Sequence, residues 1–150
     1  MTDIGFYHLT RSTLEQALPR LLEKTLQAGK RALVIVGSSE RVEMLAAYLW
    51  SADPDSFLPH GTARDGFAER QPVWLTDRDE NPNGAQFLFL ADRAASERIG
   101  EFERCFELFD GRDESAVEEA RNRWRVYRDA GHSVKYWQQD TNGAWQERGA

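Results

Sequence analysis

The chain has 150 residues, 41 % hydrophobic and 29 % charged, with 25 acids against 19 bases and a formal net charge of -6. That length suits a single domain with one core; the composition excludes intrinsic disorder, and the acidic balance argues against a surface that coats nucleic acid at large. Cys105 alone leaves no internal disulfide and fits a reducing compartment, while a start without a basic, apolar signal and no run near the ~20 apolar residues of a membrane span point to a cytoplasmic protein with no membrane contact.

Ile4-Gly-Phe-Tyr-His-Leu9 reads as a first strand, short and rich in β-formers. Ser12-Thr-Leu-Glu15 has the form of a capping box for a helix toward Ala28, with Leu14, Leu18, Leu21, Leu22 and Leu26 at helical spacing. Pro19 is expected to interrupt it, giving a short first turn and then a second helix start. Arg31–Val36 is a continuous apolar run, as in an interior parallel strand covered on both faces. Gly37-Ser-Ser leads into a helix from about Glu40 to Trp50 with Val42, Leu45, Ala46 and Leu49 facing inward.

Residues 51–72, with three prolines and two glycines, read as a long irregular connection. Val73–Thr76 and Gln86–Ala91 are strands separated by the Asn81-Pro-Asn-Gly84 turn. Ser96–Phe102 is one helical turn or two. Arg104–Phe109 is a strand, and Asp113 or Ser115 caps a last helix that ends at Gly131. Ser133–Gln138 and Ala144–Gln146 flank Asp140-Thr-Asn-Gly143 as a hairpin. Strands alternating with helices define the α/β class. One domain over 1–150 is expected, closing with a helix at about 113–130 and a hairpin at about 133–147.

Little in the sequence points to catalytic chemistry. Gly37-Ser-Ser-Glu40 sits where a phosphate loop would be, but it has one glycine and no following lysine, so it reads as a strand-to-helix turn with a serine cap. His8, His60 and His132 are scattered and form no metal-ligand spacing. Cys105 lies in a hydrophobic strand and reads as core. No catalytic residue, metal or cofactor is expected.

Recognition is the richer signal. Residues 121–128 carry four arginines, two aromatics and no acid, directly after a stretch, 97–119, with nine acids against three arginines. On a helix at about 100° per residue, Arg121, Arg125 and Arg128 share one stripe. Ala116, Ala120 and Tyr127 fall on the adjoining face, with Val117 and Trp124 at the seam. The plain reading is an amphipathic surface helix with its arginines in water. Against it, arginine's planar fork suits carboxylates, and tryptophan beside arginine is the usual composition of an interface anchor. Trp50 with Ser56-Phe-Leu-Pro-His60 forms a second candidate surface, or else a loop folded over its own core. Direct single-stranded nucleic-acid binding, by arginine and aromatic stacking, is a rival reading; a nucleotide-binding, enzyme-like domain is another, resting on the α/β pattern alone.

The chain resembles the chi subunit of bacterial DNA polymerase III, an accessory subunit of the clamp-loader assembly. Phe6-Tyr-His-Leu9, Ala28-Gly-Lys-Arg31, Leu49-Trp50, Ser56-Phe-Leu-Pro-His60 and Ala120–Gly131 carry the resemblance in order and spacing. It implies a three-layer α/β/α sandwich with a mostly parallel or mixed sheet, nucleotide-binding-like but without a P-loop, and no catalysis. It implies an adaptor in DNA replication that grips the acidic, hydrophobic-ended C-terminal tail of single-stranded DNA-binding protein and reaches DNA only indirectly. Arg121 stands where the family has a tail-binding arginine, and Trp124 at a tyrosine of that site. Val117 takes a position that can be a lysine and Asp110 one that can be valine, leaving Arg125 or Arg128 to supply the charge. The tail's ring is expected against Trp124, Val117 and Phe109. A separate family surface binds the psi subunit of the clamp loader, or alternatively a repair helicase; Trp50 and Phe57 match its aromatics, with Pro59 and His60 beside them.

Overall fold

A computed structural model describes residues 2–51 and 58–148. Its framework is one eight-stranded sheet in the order β3-β4-β2-β5-β6-β1-β7-β8. The strands are β1 (Asp3–Leu9), β2 (Ala32–Ile35), β3 (Gly61–Thr62), β4 (Val73–Thr76), β5 (Phe87–Leu90), β6 (Arg104–Asp110), β7 (Ser133–Gln139) and β8 (Trp145–Arg148). Every neighbouring pair is parallel except β7 with β8, the antiparallel hairpin at one edge. Among the described residues three α-helices join them: α1 (Leu14–Gln27), α2 (Ser39–Ser51) and α3 (Glu114–Asp129).

The period of two along each strand sorts its side chains between two cores. Ala32 and Val34 of β2, with Phe89, Phe106 and Tyr7, pack beneath α1 and α2. Leu33 and Ile35, with Phe6, Leu88 and Leu90, pack on the opposite face beneath α3, against Ala120, Trp124 and Tyr127. The central strands β2, β4 and β5 are buried at every position, as continuous apolar runs require when both faces are covered. The three-layer α/β/α sandwich is therefore the observed architecture.

Some local expectations are corrected, and two stated alternatives are each narrowed to one. The helix cap is Thr13, whose hydroxyl accepts from the Gln16 N–H while the Gln16 side chain accepts from the Thr13 N–H, so the box is one residue later than Ser12–Glu15. Pro19 does not split α1, which runs continuously for 14 residues; four buried leucines and Ala17 on one face hold it against the sheet. The connection 51–72 contains a short edge strand, β3, and a 3₁₀ turn at Ala68–Arg70. Ser96–Phe102 resolves to a single 3₁₀ turn, Ile99–Glu101. Asp113, not Ser115, caps α3, accepting from the N–H groups of Ser115 and Ala116. Among the described residues no helix is long and apolar enough to cross a membrane.

Candidate peptide-binding groove

Strands β6 and β1 are neighbours, yet the chain leaves β1 through α1 on one face and β6 through α3 on the other. This is the topological switch point at which open α/β sheets hold ligands beyond the strand C-termini. A cavity of about 360 Å³ does lie there, but its charged side chains engage one another. Arg41 pairs with Glu15 and Asp92, and Arg93 with Asp113 and Glu119. The N-terminus of α3, which would attract a phosphate, already carries the Asp113 carboxylate as its cap. Beside it, the turn after β2 is closed by Ser38, whose hydroxyl accepts from the Arg41 N–H. The guanidinium groups of this crevice are thus already matched by its own carboxylates.

A second cavity of about 350 Å³ lies along α3. Its helix wall is Val117, Ala120, Arg121, Trp124 and Arg125. Its sheet wall is Phe6 and His8 from β1, Phe109 from β6 and Tyr136 from β7. Register brings these together: His8 pairs with Phe109 and Phe6 with Tyr136 across adjacent strands, and the pleat points all four at α3. The Trp124 indole rests on Phe6 at 5.4 Å between ring centroids and is half-buried, with the rest of its surface in the groove. Arg121 and Arg125 are exposed, and among the described residues no carboxylate lies within ion-pair distance of either.

The arginines of the 121–128 stretch thus divide. Arg123 turns inward, donating to Glu107 at 2.9 Å and to Glu119 at 3.1 Å, and to the carbonyls of Arg93 and Ala94. Glu107 is buried, and Tyr127 donates to it at 2.7 Å. Burial pushes the Glu107 carboxyl above its usual range, opposed by Arg123 and Tyr127. Arg128 stands outside the groove lining, its guanidinium 3.4 Å from Asp129. Asp110 sits at the end of β6 and lines the first cavity, not the α3 groove, with Arg112 at 3.2 Å.

Sequence reading missed His8 and Tyr136. Their rings meet at 5.7 Å, and His8 Nδ1 is hydrogen-bonded to the Tyr136 hydroxyl. Burial draws His8 below the usual imidazole value, and Arg121 adds to this, while the Gly111 backbone and Asp110 pull the other way. Burial raises the Tyr136 hydroxyl, and Arg121 opposes it. Alternation within β1 and β7 assigns both residues to one face of their strands, but only the β1–β7 register makes them neighbours.

The second surface lies at the opposite edge of the sheet. Trp50, at the end of α2, is 60 % exposed, and its ring lies 5.2 Å from that of His60. His60 is buried, with Nδ1 2.7 Å from the Leu58 carbonyl, and Pro59 is half-buried. Phe57 lies outside the described residues. Leu58 is buried, so the Leu58–His60 part of this segment folds over the core and leaves Trp50 as the outward feature.

Fold and grooves together define a mixed-sheet α/β protein with its switch-point crevice filled by ion pairs and an open cationic groove on α3. The family model described as DNA polymerase III chi subunit, HolC, matches residues 1–135, and the chain belongs to that family. It is 25 % identical over 144 residues to DNA polymerase III subunit chi of Escherichia coli (strain K12), covering 89 % of this chain and 96 % of that protein. It is 27 % identical over 109 residues to the probable DNA polymerase III subunit chi of Rickettsia prowazekii (strain Madrid E), covering 73 % of this chain and 66 % of that protein, just under two thirds of its length.

Proposed function

We propose that this chain is a non-catalytic replication adaptor. Its α3 groove binds the acidic C-terminal tail of single-stranded DNA-binding protein, and its Trp50 surface, with Phe57, Pro59 and His60, joins the psi subunit of the clamp loader or a repair helicase. Family membership supports the replicase setting. The observation that carries the tail reading is the pairing of two carboxylate-free guanidinium groups, Arg121 and Arg125, with a half-buried indole in one groove.

The chemistry fits a tail that ends in a phenylalanine carboxylate preceded by aspartates. The ring packs between Trp124, Val117 and Phe109, worth about 2–3 kcal/mol of burial. Arg121 meets the terminal carboxylate, a charge-assisted hydrogen bond contributing roughly 1.5–3 kcal/mol. Arg125 and, from outside the groove, Arg128 attract the aspartates. After the ordering of a flexible tail, micromolar affinity per tail is expected, and several tails on one oligomer raise avidity. Calorimetric titration with a tail peptide is the test. Arg121→Ala and Trp124→Ala should each weaken binding about tenfold or more and leave the circular dichroism spectrum unchanged; undiminished affinity in both refutes the reading. Binding to an oligonucleotide with no partner present would favour the stacking alternative instead.

A further inference from the structure

The groove holds one polar pair that Arg121 and Arg125 do not account for: a histidine and a tyrosine on the sheet wall, hydrogen-bonded to each other, in a site whose helix wall offers only cations and apolar groups. We infer that the Tyr136 hydroxyl, oriented by His8, is the second donor to the terminal carboxylate that Arg121 holds, an inference that rests on the tail reading above.

The geometry is specific. His8 is confined on both sides of its ring. Nδ1 meets the Tyr136 hydroxyl. On the other side Nε2 abuts Gly111, where an added Cβ would lie 1.9 Å from Nε2. The Gly111 position therefore requires glycine for His8 to occupy this place.

With the imidazole neutral and its hydrogen on Nε2 toward Gly111, Nδ1 is a lone pair. The Tyr136 hydroxyl must then donate to it, presenting only oxygen lone pairs to the groove. A proton on Nδ1 reverses this bond. Nδ1–H donates, the hydroxyl oxygen accepts, and the hydroxyl hydrogen turns toward the groove as a donor for an anion. Val117 adds no charge to Arg121 at the ring's end of the helix wall, so the second polar contact comes from the sheet.

Protonation is governed by the groups around the ring. Arg121 faces it from α3, Tyr136 from β7, and Asp110 and the Gly111 backbone from the end of β6; Phe109 adds only its ring, at 4.9 Å. Burial, and after it Arg121, disfavour the imidazolium, against the Gly111 backbone and Asp110. A carboxylate arriving between Arg121 and Tyr136 offsets the Arg121 charge and favours the imidazolium. Tail binding therefore takes up a proton, and affinity rises as pH falls through the imidazole range. The tail's own carboxylates stay ionised there.

The probe is a synthetic peptide of several aspartates ending in phenylalanine, as the free acid and as the C-terminal amide, titrated calorimetrically from pH 5.5 to 8 in buffers of different ionisation enthalpy. Wild-type protein should bind the free acid with proton uptake and more tightly at low pH. Tyr136→Phe, which keeps the ring, should weaken the free acid by about tenfold at low pH and leave the amide unchanged. His8→Leu should flatten the pH profile. Equal loss for acid and amide in Tyr136→Phe, or an unaltered pH profile in His8→Leu, overturns the inference. If Arg121→Ala abolishes binding while Tyr136→Phe is silent, the tail reading stands and this one fails; if neither peptide binds wild-type protein, the tail reading itself has failed.

Discussion

Adjacent arginines on α3 carry opposite duties. Arg123 bonds to a buried carboxylate, with side-chain exposures of 17 % and 6 % for the arginine and Glu107, whereas Arg121 and Arg125 project into a solvent-open groove. Removing one member of a buried pair strands the other charge without a partner, a loss of about 3 kcal/mol. Arg123→Ala should therefore lower unfolding stability by about that amount in urea titration, with Arg121→Ala and Arg125→Ala within roughly 0.5 kcal/mol of wild type. Equal, small effects at all three positions would show that the Glu107 cluster contributes no structural restraint. Composition made the 121–128 stretch stand out, but it could not separate these roles. The helix spacing of Glu119 and Arg123 was legible in the sequence; the decisive partner, Glu107, comes from β6 and is reached only through tertiary packing.

At the level of elements, α1 shows where local rules yield to packing. Proline at position 19 removes one N–H from the helix ladder and crowds the Glu15 carbonyl, the reason a break is expected from sequence. The helix persists because Leu14, Leu18, Leu21 and Leu22 are all buried on one face. Pro19→Ala restores the bond to Glu15 at the expense of a freer unfolded chain. It should raise stability by about 1–2 kcal/mol, read as a higher Tm; a fall in Tm would mean that the half-buried ring packs better than a continuous ladder. The elements most legible beforehand were those whose signal is wholly local: the apolar run of β2, the match of Val73–Thr76 to β4, and the Asp140–Gly143 turn between β7 and β8. The two-residue β3 has no periodicity to read; its Thr62 is organised by Asp65, which accepts from the Thr62 N–H at 3.0 Å. The groove's sheet wall was equally hidden, because it depends on which strands neighbour β1. Chain order cannot say that β6 and β7 flank it.

For the molecule as a whole, the sheet order bears on whether the two partners proposed above can be held at once. The groove spans β6, β1 and β7 on the α3 face, and Trp50 lies on α2, on the opposite face, beside the segment entering edge strand β3. At about 4.8 Å per strand, four strand spacings separate β3 from β6, so roughly 20 Å of sheet lies between the surfaces. Neither α2 nor α3 spans the two: α2 meets β3 and β4, and α3 meets β6 and β7, while α1, packed on α2, β2 and β6, lines neither surface. Sites this far apart, without shared side chains, have effects that add within roughly 0.5 kcal/mol. An adaptor that bridges two partners needs this independence, since a coupled pair would release one on capturing the other. Trp50→Ala should therefore leave the affinity for the tail peptide within about twofold of wild type while abolishing capture of the psi subunit or helicase, and Arg121→Ala should do the reverse. Calorimetry for the peptide and co-purification for the larger partner read the two arms separately. A change in tail affinity on removing the Trp50 indole would mean that the sheet transmits between its edges, and the molecule would then act as a relay between partners in place of a passive bridge.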